Sequence, residues 1–174
     1  MRTILAALAA ALLFSQVAFA SGGVSKTAAS FGPVKTAALM PTFAGYSLDG
    51  EFVRSKALTE NGGGVIVSFF ATWCGPCKVG MPIIEQEVAK NEKWKVVFVN
   101  VGEEEAKVKQ MLSSMGLKST VVMDTHGTIG KRFGVGDSLP KTFIVGPSGK
   151  VGTIFVEEGD DLQPLLEKAI TTAK

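Results

Sequence analysis

Six consecutive residues, Val65-Ile66-Val67-Ser68-Phe69-Phe70, constrain this chain more than any other feature in it. The run is β-branched and aromatic and lacks in-out alternation. That is the pattern of a strand buried on both faces, which belongs in a parallel or mixed sheet covered by helices. A second such strand, Lys95–Val101, follows a stretch of helical period from Pro76 to about Asn91, where Cys77, Met81, Ile84 and Val88 recur at spacings of 4, 3 and 4. Strand, helix, strand in that order is the opening of an α/β domain.

The rest of the chain extends the alternation. Glu103–Met115 reads as a helix: Glu103, Glu104 and Glu105 suit its positive N-terminal end, Val108, Met111, Leu112 and Met115 form an inner stripe, and Gly116 ends it. Thr120–Asp124 reads as a short strand, followed by a turn at Thr125–Gly127 and a helical piece to Phe133. Thr142–Val145 and Val151–Phe155 bracket the turn Gly146-Pro147-Ser148-Gly149. A last helix spans Asp160–Ala173, with Asp161 as N-cap, Pro164 in the first turn, and Leu162, Leu165, Leu166, Ala169 and Ile170 inward. Upstream, Phe43–Val53 has the pattern of a hairpin turning at Asp49-Gly50, and Asn61–Gly64 that of a loop. The expected architecture is one α/β domain with a central mixed sheet flanked by helices and an N-terminal β-hairpin.

The first twenty residues read as an address. Met1-Arg2 gives a positive start, Ile4–Phe14 is apolar and uncharged, and Ala18-Phe19-Ala20 has the small-x-small pattern of a cleavage site. The expectation is a signal peptide over residues 1–20, with an uncleaved anchor as the alternative; both put the domain outside the cytoplasm. Residues 21–39, rich in Ala, Ser, Gly, Thr and Lys, read as a flexible lead-in, and the folded unit starts near Met40-Pro41. The body contains no further spanning segment. A net charge of +2 over the whole chain leaves no concentrated basic face for nucleic acid.

Both cysteines lie in one motif, Cys74-Gly75-Pro76-Cys77, where the first buried strand gives way to its helix. A thiol just before a helix N-terminus meets free backbone N–H groups and the positive dipole end, which favour the thiolate. Cys74 is therefore the attacking nucleophile, and Cys77, one turn along and facing the core, resolves the mixed disulfide. Pro76 suits the first turn and fixes the spacing; Trp73 supplies an apolar flank. A structural staple is a poor alternative, since so short a loop removes little entropy from the unfolded chain. Two cysteines and one histidine complete neither a zinc site made of four cysteines nor one made of paired cysteines and paired histidines, and Lys78 stands where haem attachment needs His.

Ala71-Thr72-Trp73-Cys74-Gly75-Pro76-Cys77-Lys78 after a buried strand resembles the thioredoxin superfamily, and so does Leu139-Pro140-Lys141-Thr142-Phe143-Ile144, which matches the family's loop ending in a cis-proline. The export signal, the N-terminal hairpin and the stretch from Asp124 and Gly127 to Phe133-Gly134-Val135 are similar to the TlpA/ResA-like branch. The resemblance covers residues 40–174 and implies a thioredoxin-like fold there. It also implies a periplasmic or membrane-attached thiol-disulfide oxidoreductase, often employed in cytochrome c maturation or copper-site assembly. Its cofactor is the redox-active pair Cys74–Cys77 itself, with no metal. Its partners are client proteins carrying disulfides or C-x-x-C motifs, and a membrane-bound thiol electron donor. Leu139 would then offer its backbone to an extended client segment beside the cysteines.

Two positions depart from the family. Ser68 stands where thioredoxins bury an Asp that relays protons to the resolving thiol, and Gly80 where ResA-like proteins often place a Glu. A water held by Ser68 or Thr72, or a Glu brought in by folding, would have to serve Cys77. Other candidates read as structural: His126 as an exposed turn residue, Met81, Met111 and Met115 as core, Trp94 as packing, Lys78 and Lys141 as solvated flanks of the site. The P-x-x-x-T-x-x-C setting of a peroxidase is absent. The leading expectation is a monomeric, exported reductase of client disulfides; the alternatives are an oxidase running the same chemistry forward and a non-enzymatic Cu(I)- or client-binding chaperone using the dithiol as soft ligands.

Overall fold

The computed structural model describes residues 34–156 and 161–173. In chain order its elements are β1 (Ala44–Tyr46), β2 (Phe52–Arg54), β3 (Gly64–Phe70), α1 (Gly75–Ala89), β4 (Trp94–Asn100), α2 (Glu105–Met115), β5 (Thr120–Met123), α3 (Thr128–Phe133), β6 (Lys141–Val145), β7 (Val151–Val156) and α4 (Leu162–Thr172), with a 3₁₀ turn at Ser55–Leu58. The signal segment 1–20 and the lead-in up to residue 33 lie outside the described residues. No helix among those described is long and apolar enough to cross a membrane.

The five-stranded sheet has the order β5-β4-β3-β6-β7, and all seven residues of β3, its central strand, are buried. β3, β4 and β5 run parallel, β6 pairs antiparallel with β3, and β7 pairs antiparallel with β6, so the sheet is mixed. Because side chains alternate along a strand, β3 feeds two cores at once. Ile66 and Phe70 pack on one face with Met81 and Ile84 of α1 and with Leu162 and Leu166 of α4. Val65, Val67 and Phe69 pack on the other with Phe43, Phe133 and Phe143. Phe133 is the hub of that layer, with ring centroids 5.8, 5.1 and 4.9 Å from Phe43, Phe69 and Phe143. This is the expected thioredoxin-like α/β architecture with its N-terminal hairpin.

The hairpin β1–β2 turns at Asp49-Gly50, where Gly50 adopts φ 82°, and leans on the sheet edge through Leu48 N–H to the Val121 carbonyl at 2.9 Å. Gly45 makes that approach possible: a Cβ there would stand 2.8 Å from Val122 Cγ1. At the opposite edge Ala37 N–H donates to the Val151 carbonyl at 2.7 Å, and Val151 N–H donates to the Ala38 carbonyl at 2.8 Å. The last residues of the expected lead-in thus already run along β7.

Three local readings need correction. α2 begins at Glu105 with Glu104 as N-cap, and Glu103 falls outside the helix because its backbone and side chain are engaged elsewhere. Leu165 is 47% exposed, since the inward stripe of α4 runs through Leu162, Leu166 and Ala169 and leaves Leu165 on its margin. Asp161 holds the N-cap position of α4 but makes no side-chain cap hydrogen bond.

Candidate active site

β3 ends at Phe70, and the chain then makes one tight turn, Ala71-Thr72-Trp73-Cys74, closed by Cys74 N–H donating to the Ala71 carbonyl at 3.1 Å. Cys74 is the N-cap of α1, with extended backbone (φ −79°, ψ 104°), and its Sγ accepts from Cys77 N–H at 3.2 Å. A sulfur in that position takes the place of the Ser or Asp oxygen of an ordinary N-cap. It satisfies one of the helix's unpaired donors, and a thiolate there would meet a partial positive charge. Gly75 and Pro76 fill the first two helical positions, where the missing proline N–H costs no intrahelical bond.

Cys74 and Cys77 are joined in a disulfide with Cα atoms 5.3 Å apart. Both are buried, at 3% and 1% exposure, and both belong to the core layer beneath α1. Around them the surface is open: Gly75 and Pro76 are exposed, and Trp73 and Val79 stand 66% and 60% exposed. The sulfurs therefore lie just beneath an apolar rim.

The Leu139-Pro140 peptide bond is cis. Its place follows from sheet register. β6 pairs with β3 so that Lys141 lies opposite Phe69, which brings the preceding Leu139-Pro140 to the end of β3 where the cysteine turn starts. Leu139 packs against the same core layer as Cys74 and Cys77, and Pro140 is buried. The two candidate segments, far apart in sequence, thus converge at one end of the sheet.

The two departures from the family also have places. Ser68 is buried on the face of β3 that meets α1, and its Oγ lies 2.8 Å from Thr142 Oγ1, so a pair of neutral hydroxyls occupies that position. Gly80 is buried inside α1. His126 is exposed, Met81 is buried, Met111 and Met115 pack at the core margin, and Trp94 is 8% exposed, all as expected. Lys78 is exposed, but Lys141 is not a solvated flank: its Nζ donates to the Gly134 carbonyl at 2.8 Å, serving the C-terminal end of α3.

Glu103 is the site residue that sequence reasoning misassigned. Its Oε2 accepts from Thr72 N–H at 2.5 Å and from Asn100 Nδ2 at 2.8 Å, and its Oε1 accepts from Thr72 Oγ1 at 2.5 Å and from Lys107 Nζ at 3.1 Å. Glu103 N–H in turn donates to Asn100 Oδ1 at 3.1 Å. Burial of the carboxylate raises its pKa, but the donors from Thr72, Asn100 and Lys107 outweigh that and hold it at about 2. So weak a base does not take a proton from a thiol, whose ordinary pKa is about 8.5. Glu103 is an anchor for the cysteine turn rather than a proton relay.

Comparison with known proteins agrees with this geometry. Residues 36–154 match the AhpC/TSA family. The chain is 32% identical over 158 residues to thiol-disulfide oxidoreductase ResA of Geobacillus thermodenitrificans, covering 89% of this chain and 85% of that protein. It is 37% identical over 92 residues to ResA of Bacillus subtilis, a match spanning 52% of this chain and 51% of that one. Among solved structures, a Chlorobium tepidum protein assigned as thiol:disulfide interchange protein DsbE superposes with a TM-score of 0.74 at 28% identity, covering 80% of this chain and 98% of the other.

Proposed function

This chain belongs to the AhpC/TSA family and is a thiol-disulfide oxidoreductase, and we propose that it is an exported reductase of disulfides in client proteins. The observation that carries this reading is Cys74 at the N-cap of α1, its sulfur on Cys77 N–H, beneath an exposed rim of Trp73, Gly75 and Pro76. The reduced pair starts the cycle. The Cys74 thiolate attacks one sulfur of a client disulfide; that S–S bond breaks, a Cys74–client bond forms, and one client thiolate leaves and takes a proton from water. Cys77 then loses its proton and attacks Cys74 Sγ. The mixed disulfide breaks, the second client thiolate leaves, and two electrons have passed to the client. A membrane-bound thiol donor restores the dithiol. The TlpA/ResA-like resemblance of the sequence suggests clients in cytochrome c maturation or copper-site assembly, the signal pattern of residues 1–20 fits work outside the cytoplasm, and a monomer is the state proposed.

Leu139 and Pro140 shape the other wall of the site in this reading, with the Leu139 backbone offered to an extended client strand and Trp73 covering it. Peroxidase chemistry, which the family name also suggests, is disfavoured because Val67 and Ala71 stand where the Pro and Thr of that motif would precede Cys74. The oxidase reading uses the same residues in reverse and differs only in potential. Insulin reduction by the dithiothreitol-primed full chain tests the assignment. Cys74→Ser should abolish turnover, and Cys77→Ser should accumulate a mixed disulfide through Cys74. A Cys74→Ser variant as fast as the parent would sink the reading.

A further inference from the structure

The turn that delivers Cys74 is tied to a second loop by one carboxylate. Val101 N–H donates to the Phe70 carbonyl at 3.1 Å, so the chain leaving β4 runs beside the chain leaving β3. Asn100 closes β4, is fully buried, and grips Glu103 from both ends of its side-chain amide. The Glu103 carboxylate, only 9% exposed, then receives both donors of Thr72, its N–H and its hydroxyl. Thr72 is itself 7% exposed and is the second residue of the four-residue turn that ends at Cys74. Two donors from one residue into the two oxygens of one carboxylate fix an orientation as well as a distance, and hydrogen bonds to a charged acceptor are the strong ones.

We propose that Glu103 is a positioning residue for the nucleophile: by holding Thr72 at both donors it fixes the turn so that Cys74 Sγ stays on the Cys77 N–H in the reduced enzyme, where the disulfide no longer holds the sulfur there. While Cys74 and Cys77 are bonded, the covalent link itself keeps Sγ at the helix N-terminus. Once reduced, the sulfur's place depends on the turn and its anchors together with the first helical hydrogen bond, Lys78 N–H to the Cys74 carbonyl at 3.3 Å, and the helix N-terminus stabilises a thiolate only over short range. Asn100 and Lys107 keep the carboxylate charged and aimed; Thr72 transmits its position to Cys74. The low carboxylate pKa agrees with a group built to stay an acceptor throughout the working pH range. This inference rests on Cys74 being the attacking thiol.

The test is the pH profile of Cys74 alkylation by iodoacetamide in the reduced full chain, with the labelled cysteine identified by peptide mass. Thr72→Val keeps size and N–H but removes the hydroxyl that Glu103 holds; Thr72→Ser restores it. Thr72→Val should lower the Cys74 rate at neutral pH by about threefold to tenfold, with the profile displaced to higher pH by about half a unit to one unit. Thr72→Ser should lie within about twofold of the parent, since it keeps the hydroxyl donor. In a Glu103→Gln background the Thr72→Val effect should shrink or vanish, because coupled residues are not additive. A displaced profile with that coupling supports the proposal; should Glu103→Gln not fold, displacement in Thr72→Val with return toward the parent in Thr72→Ser carries the test, and a Thr72→Ser profile displaced as far as that of Thr72→Val overturns it. A profile unchanged in Thr72→Val, or displaced equally with and without Glu103, overturns it. Cys77 labelled before Cys74 in the parent would instead overturn the assignment of the nucleophile, and this inference with it.

Discussion

Glu103 makes acid stability a sharp test of the site's electrostatics. Its carboxyl is held at about 2 against an ordinary 4.5. A folded-state pKa below the unfolded one contributes stability that is fully present above pH 4.5 and is lost as pH falls through the folded value. The full shift corresponds to about 3 kcal/mol, an upper bound for a side chain that keeps some contact with solvent, and linkage places about 2 kcal/mol of the loss between pH 6 and pH 3. The perturbation is Glu103→Gln, which preserves shape and one acceptor but cannot titrate. Urea unfolding of the oxidised full chain at pH 6, 5, 4 and 3 gives both profiles. The difference in unfolding free energy between parent and variant should be largest at pH 6 and close by about 2 kcal/mol at pH 3. Parallel profiles, with a constant gap across that range, would refute the claim that the Thr72, Asn100 and Lys107 donors hold this carboxylate charged.

Asp124 is buried and accepts from Gly130 N–H at 2.7 Å and Ile129 N–H at 3.0 Å, so Asp124→Ala should cost about 1–3 kcal/mol in urea unfolding by leaving two amides of the α3 turn without their acceptor. Asp124→Asn, which keeps one acceptor oxygen, should cost less. Trp73 is 66% exposed, so Trp73→Ala should change unfolding free energy by no more than about 0.5 kcal/mol while lowering kcat/KM on insulin. Turnover of a small disulfide such as hydroxyethyl disulfide should be nearly unaffected by the same change, since it needs no apolar rim; equal losses on both substrates would argue against Trp73 as a client contact.

Much of the fold is legible in the sequence because its strongest signals are local. An unalternating run such as Val65–Phe70 can satisfy its side chains only between two covering layers, and the 4-3-4 spacing after Cys77 fits only a helix with one buried face. The cysteine pair at their junction is local too. Glu103 is different. Three consecutive glutamates before a helical stripe look like dipole-compensating residues, and nothing local separates the one that folds back. What recruits Glu103 is the parallel pairing of β3 with β4, which sets Asn100 opposite Phe70 and brings the two exit loops side by side. That is long-range information, available only once the strand order is known. Lys141 is illegible for the same reason: its partner, the carbonyl of Gly134 just past the end of α3, is brought to it by packing of α3 on the sheet. Leu165 shows the limit of periodicity, since a residue at the edge of a stripe is inside or outside according to how its helix is rotated.

The direction of electron flow separates a reductase from an oxidase with the same residues, and the reduction potential of the Cys74–Cys77 couple measures it most directly. Trp73, adjacent to Cys74, is a natural fluorescence reporter for titration of the full chain against dithiothreitol or glutathione buffers. A reductase working against an oxidising compartment should titrate near or below about −230 mV, toward the value of thioredoxin. A potential near about −120 mV would make this chain an oxidant of its clients and contradict the reducing assignment.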